Sequence, residues 1–198
     1  MANRPSLVYL AAGFLSWPVV HLAYRLRTTG LENVPPDGGF VLAANHTSNF
    51  DPWPLGLPLF PRRWLRFMAK SELYWWPLRY LLDAGGTFPV ERGAGDVEAI
   101  EKAVELVRAG EVVVMFPEGT RQRKGLRKKW EARPHTGAAR IAYEAGAPLV
   151  PAAIKGADRL ARLGPLRVAY GPPIESTDDS RETTERLMAE IRRLYETL

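Results

Sequence analysis

Three short apolar runs constrain this chain more than any other feature: Phe40–Ala44, Val112–Phe116 and Leu149–Ile154. Each is unbroken by polar residues and about the length of a strand, the pattern expected when both faces of a strand are covered. A fourth run, Leu166–Tyr170, partly alternates. Pro151 predicts an edge or irregular position for the third run, since proline has no N–H to give to a ladder. Helical stripes lie between the runs. Val97, Ile100, Val104 and Val107 recur at spacings of three and four and stop before Gly110. Thr136 can cap a helix carrying Ala138, Ile141, Ala142 and Ala145, with Gly146 in the left-handed position past its end and Pro148 blocking continuation. Leu187, Met188, Ile191, Leu194, Tyr195 and Leu198 mark one face of a last helix. Strands separated by helices of this length predict an α/β fold with a mixed, largely parallel sheet covered by helices.

With 198 residues, 46% of them hydrophobic and 25% charged, the chain suits one globular domain rather than a disordered or multi-span protein. It has no cysteine, which excludes disulfides and a thiolate nucleophile. His21, His46 and His135 stand too far apart in sequence for metal-ligand spacing. The net charge of +5 is clumped. Arg62, Arg63, Arg66 and Lys70 form one group; Arg121, Arg123, Lys124, Arg127, Lys128, Lys129 and Arg133 form another. Such groups attract phosphorylated substrates, acidic headgroups or nucleic acid, or are simply solvated loops. Aromatic residues are not interleaved through the second group, which argues against nucleic acid. Residues 122–134 read as an exposed, mobile loop.

No charged residue lies between Arg4 and Arg25. An apolar stretch of this length can span a bilayer, lie in one leaflet, or join the protein's own core. Pro18 and His21 favour a helix lying in one leaflet, interrupted at Pro18. The expected organisation is a membrane-associating segment over 1–25 and one globular domain over 26–198.

Two motifs follow the first two runs. In Asn45-His46-Thr47-Ser48-Asn49-Phe50-Asp51 a histidine precedes an aspartate by five positions. Asp51 before Pro52 suits a helix cap followed by a first-turn proline. It also suits a carboxylate that folds back onto His46, fixes its tautomer and leaves the other ring nitrogen to take a proton. No Gly-x-Ser-x-Gly elbow is present, so a substrate hydroxyl would be the nucleophile. In Phe116-Pro117-Glu118-Gly119-Thr120-Arg121, turn amides, the Thr120 hydroxyl and Arg121 would suit a phosphate, although a plain Glu-Gly turn reads the same way.

In this order and at this separation the two motifs resemble the glycerophospholipid acyltransferase family. Its His-x4-Asp block is matched by Asn45, His46, Ser48 and Asp51, and its Phe-Pro-Glu-Gly-Thr-Arg block is present letter for letter at 116–121. Gly86–Arg92 fits a further block loosely, with Pro89 and Glu91 atypical, and Leu149–Ile154 resembles the Val-Pro block. His135-Thr136-Gly137 departs from relatives that carry a lysine just before the glycine.

The resemblance implies a fold like that of glycerol-3-phosphate acyltransferase and a division of labour. His46 would deprotonate the acceptor hydroxyl and Asp51 would orient His46. The hydroxyl would attack the thioester of acyl-CoA or acyl carrier protein, with backbone amides meeting the oxyanion. Arg92, Glu118, Gly119, Thr120 and Arg121 would form the acceptor-phosphate site. No metal or redox cofactor is implied. The expected acceptor is 1-acyl-sn-glycerol 3-phosphate (lysophosphatidic acid), giving phosphatidic acid. The alternatives are another lysolipid, glycerol 3-phosphate, or a catalytically silent lipid-binding protein. Membrane lipids would be the partners, nucleic acid would not, and the site would face the cytoplasmic side of the cell membrane, with Trp17, Trp53, Trp75 and Trp76 as interfacial anchors.

Overall fold

The apolar runs become the middle of a sheet. In the computed structural model, which describes residues 5–90, 96–119 and 134–198, the strands are β1 (Arg27–Thr29), β2 (Phe40–Ala44), β3 (Leu65–Lys70), β4 (Thr87–Val90), β5 (Val112–Met115), β6 (Leu149–Lys155) and β7 (Arg167–Tyr170). Among the described residues they form one sheet in the order β1-β7-β6-β2-β5-β3-β4. All neighbours are parallel except β6 and β7. The expected mixed, largely parallel sheet is therefore present.

β2 lies between β5 and β6 and is wholly buried, which explains its unbroken apolar sequence. Its alternate side chains serve two cores. Phe40, Leu42 and Ala44 join Leu55, Leu57, Val114, Ile154 and Tyr170 on one face. After the short helices α2 (Pro52–Gly56) and α3 (Leu78–Ala84) come α4 (Asp96–Arg108), α5 (Gly137–Ala145) and α6 (Ser180–Thr197), and Val41 and Ala43 join these last three on the other face. Val104 and Val107 are buried as their spacing predicts, whereas Val97, at the start of α4, is half exposed. Gly146 closes α5 in the left-handed conformation, at φ 63°. Thr136 stands at the start of α5 without a side-chain capping bond.

Pro151 does not mark an edge. β6 is paired on both sides, with β2 and with β7. The strand tolerates proline because Pro151 lies one residue beyond the last β6–β7 pair, Ala152 with Tyr170. There its carbonyl still accepts from Gly171 N–H at 2.8 Å, so the missing donor falls where the ladder ends.

The N-terminal stretch is helical. α1 (Leu7–Pro18) passes directly into a wider π-helical turn over Val19–Ala23. The helix changes pitch after Pro18 rather than breaking there. α1 itself contributes no buried residue. Its inner side lays Tyr9 and Phe14 against Phe60 and Trp64, while Leu7, Val8, Leu15, Trp17 and Leu22 are exposed. No helix among the described residues is long and apolar enough to cross a membrane. Trp75 and Trp76 are exposed, but Trp53 is not the anchor expected of it: it is half-buried and packs edge to face with Tyr24.

Candidate active site

β2 delivers its last residue to the carboxyl edge of the sheet, where ligands of open α/β folds gather. The next residue, Asn45, is buried and reaches across to β6. Its side-chain amide donates to the Ile154 carbonyl at 3.0 Å, and its side-chain oxygen accepts from Ile154 N–H at 2.8 Å. The side chain thus continues the β2–β6 ladder after the β2 backbone has left it. This anchors the residue just before His46, a role no sequence pattern announced beyond a polar residue at the end of an apolar run.

His46 and Asp51 are brought together. Asp51 occupies the cap position of α2 (Pro52–Gly56), yet its side chain makes no capping bond. Trp53 N–H already donates to the Phe50 carbonyl at 3.0 Å and Pro54 has no N–H to give, so the carboxylate turns back instead. His46 Nδ1 lies 2.8 Å from Asp51 Oδ2. The same oxygen accepts from Thr47 N–H at 2.6 Å and Ser48 N–H at 2.8 Å. The Thr47 hydroxyl donates to Oδ1 at 2.9 Å. Of the two roles open to Asp51, the geometry is that of the orienting carboxylate. Its exposure is 0%, so these donors replace the water it has lost.

The His46 side chain retains 18% exposure. With Nδ1–H given to the carboxylate, Nε2 is the nitrogen available to a substrate proton. Phe116 fixes the ring plane from the other side, stacked at 4.2 Å between centroids and 20° between planes. The end of β5 therefore braces the histidine that follows β2.

The turn after β5 brings Glu118 and Gly119 to the same edge. Gly119 N–H donates to the Phe116 carbonyl at 3.0 Å, and the residue is left-handed at φ 66°. A Cβ at Gly119 would lie 2.4 Å from the His135 ring, so only glycine admits this packing. His135 N–H holds the Pro117 carbonyl at 2.8 Å. His135, in the segment that departs from the relatives, thus stands against the turn, a contact the sequence did not signal. Thr120, Arg121, Arg92 and the basic run up to Arg133, with most of the expected 122–134 loop, lie outside the described residues.

The group Arg62–Lys70 is not one cationic patch. Arg63 bonds the carbonyls of Pro36 and Gly38 and covers the Phe40 ring. Arg66 pairs with buried Glu111 at 3.3 Å, just before β5 and so at the far edge of the sheet from His46. Among the described residues no cluster of three or more His, Asp or Glu has metal-holding geometry.

Comparison with known proteins agrees with this geometry. A family model described as Acyltransferase matches residues 25–155. The chain is 33% identical over 178 residues to the 1-acyl-sn-glycerol-3-phosphate acyltransferase of Bacillus subtilis (strain 168), covering 86% of this chain and 85% of the relative. It is 30% identical over 145 residues to the chloroplastic 1-acyl-sn-glycerol-3-phosphate acyltransferase BAT2 of Brassica napus, covering 71% of this chain and 40% of the relative. Among solved structures, the 1-acyl-sn-glycerophosphate acyltransferase PlsC of Thermotoga maritima superposes with a TM-score of 0.68 at 23% identity, covering 96% of this chain and 78% of that one. That last likeness is one of fold.

Proposed function

Because this chain belongs to the acyltransferase family, we propose that it moves a fatty acyl group from acyl-CoA or acyl carrier protein to the free hydroxyl of 1-acyl-sn-glycerol 3-phosphate, giving phosphatidic acid. The acceptor is the one for which the relatives in Bacillus subtilis and Brassica napus are named. The observation that carries the chemistry is the 2.8 Å contact between His46 Nδ1 and buried Asp51.

His46 Nε2 takes the hydroxyl proton as the oxygen bonds to the thioester carbonyl carbon. The imidazolium that forms is stabilised by Asp51. As the tetrahedral intermediate collapses, the carbon–sulfur bond breaks and His46 returns the proton to the departing thiolate. The ester and the free thiol leave, and His46 is again neutral. Glu118 and Gly119, with Arg92, Thr120 and Arg121, form the phosphate site in this reading.

The exposed side of α1 supports a lipid surface as the workplace. Residues 1–25 act as the membrane-associating segment and 26–198 as the catalytic domain, on the cytoplasmic side where thioester donors are found. The test is acyl transfer by purified protein with both donor types and a panel of acceptors, beside His46→Ala. Turnover by the wild type and its loss in His46→Ala are expected. Wild-type turnover in His46→Ala would overturn the mechanism, and failure of every acceptor would leave a lipid-binding protein.

A further inference from the structure

Among the described residues, the non-glycine residues with positive φ are Arg25, at 47°, and Leu163, at 46°. They touch. Arg25 Nη2 donates to the Leu163 carbonyl at 3.5 Å across the end of the N-terminal helix. The surrounding backbone joins the same two segments: Leu166 N–H donates to Tyr24 O at 2.9 Å, and Arg27 N–H to Leu166 O at 3.0 Å. The left-handed conformation disfavours leucine, and solvent exposure gains it nothing. Yet Leu163 is 56% exposed, and Leu22, just before Arg25 on the helix side, is 79% exposed. Arg25, Arg159 and Arg162 are also exposed, Arg159 beside Asp158 at 3.4 Å.

The topology sets this cluster on the same edge of the sheet as His46 and Asp51. The 3₁₀ turn Ala157–Arg162 follows the carboxyl end of β6. His46 follows the carboxyl end of β2, the parallel neighbour of β6. The two Asn45–Ile154 bonds tie these strand ends together. The patch is also continuous in sequence with the exposed apolar side of α1 through Val19–Ala23.

We propose that Leu22, Arg25, Arg159, Arg162 and Leu163 form a docking patch for the anionic headgroup surface of a phospholipid bilayer, on the same edge of the sheet as His46. Two leucines enter the acyl boundary while three arginines meet lipid phosphates. An apolar residue held exposed in a disfavoured conformation is accounted for when the bilayer covers it. The proposal rests on the lipid-surface reading above and deepens it. It makes binding depend on lipid charge, and it orients the active edge toward the membrane.

The full chain is to be sedimented with vesicles of phosphatidylcholine alone and of phosphatidylcholine mixed with phosphatidylglycerol. The wild type is expected to prefer the mixed vesicles. Arg159→Gln with Arg162→Gln should cut that partition by about 5-fold per arginine and leave binding to neutral vesicles unchanged. Leu163→Gly should weaken binding to both vesicle types while melting no lower than the wild type, since glycine suits the local φ. Excess glycerol phosphate should not compete. Wild-type binding by these variants, or competition by glycerol phosphate, would overturn the patch and leave the lipid-surface reading standing. A wild-type chain that binds neither vesicle would overturn both.

Discussion

The carboxylate of Asp51 turns away from the helix it precedes and meets His46 Nδ1 at 2.8 Å. The carboxylate also collects three donors from Thr47 and Ser48. Its position is therefore fixed by the loop before any substrate arrives, and the imidazole is held to that position.

Asp51→Asn removes the charge that stabilises the imidazolium and turns an amide NH2 toward N–H donors. Turnover should fall by about 10²–10⁴-fold. The apparent KM for the acceptor should change little, because Asp51 is not among the residues proposed to hold the acceptor phosphate. Steady-state kinetics with varied acceptor checks this. A change confined to KM would place Asp51 in acceptor binding instead.

Asn45→Ala leaves the N–H and carbonyl of Ile154 without their side-chain partner in a buried place. Stability should fall by about 2–3 kcal/mol. Urea unfolding with an unchanged slope would show it. Turnover should also drop under conditions where the variant is fully folded, since the residue before His46 loses its anchor.

Gly119→Ala meets two obstacles, a left-handed backbone at φ 66° and the His135 ring 2.4 Å from the new Cβ. The conformational cost alone is about 1–2 kcal/mol. Combining it with His135→Ala removes the overlap but not the backbone cost. The double variant should therefore be more stable than the sum of the two single changes predicts. Thermal melts of all four proteins measure this, and simple additivity would mean the ring moves aside freely.

Burial raises three tyrosine pKa values: Tyr9, Tyr74, which is pushed up to about 12, and Tyr170, which is fully buried with its hydroxyl on the Leu55 carbonyl at 2.6 Å. In the unfolded chain these phenols ionise near pH 10. Between that pH and their higher native values the unfolded state gives up protons that the native state keeps, so stability declines as pH rises. Melting temperature should therefore fall as the pH rises above about 10. Tyr170→Phe should melt lower than the wild type at pH 8, having lost the hydrogen bond, but show a shallower alkaline decline. Parallel declines in the two proteins would contradict the assignment.

The sequence disclosed β2, β5 and β6 because a strand buried on both faces must be apolar throughout. It disclosed less of β1, β3 and β4. These are short or carry Arg66, Lys70 and Pro89, and they owe their form to pairing with neighbours rather than to local pattern. The charged group Arg62–Lys70 looked like one patch because a linear reading does not show where each guanidinium goes: Arg63 to loop carbonyls, Arg66 to Glu111. His46 and Asp51 were legible as a pair, but the choice between cap and orienter was not, since both roles need aspartate before Pro52. The contact of His135 with Gly119 depends on how two distant segments meet, and no spacing encodes it.

The π turn at Val19–Ala23 has an angular consequence. Each residue advances a helix by about 100°, and a π turn holds one residue more than an ordinary turn. The extra residue is thus taken up within one revolution, and deleting a single residue there would restore regular winding without turning the faces of α1. Tyr9 and Phe14 would stay against Phe60. A deletion inside α1, between Phe14 and Pro18, would instead turn that contact by about 100°. The wide turn is therefore where the N-terminal helix can gain or lose a residue and still look the same way.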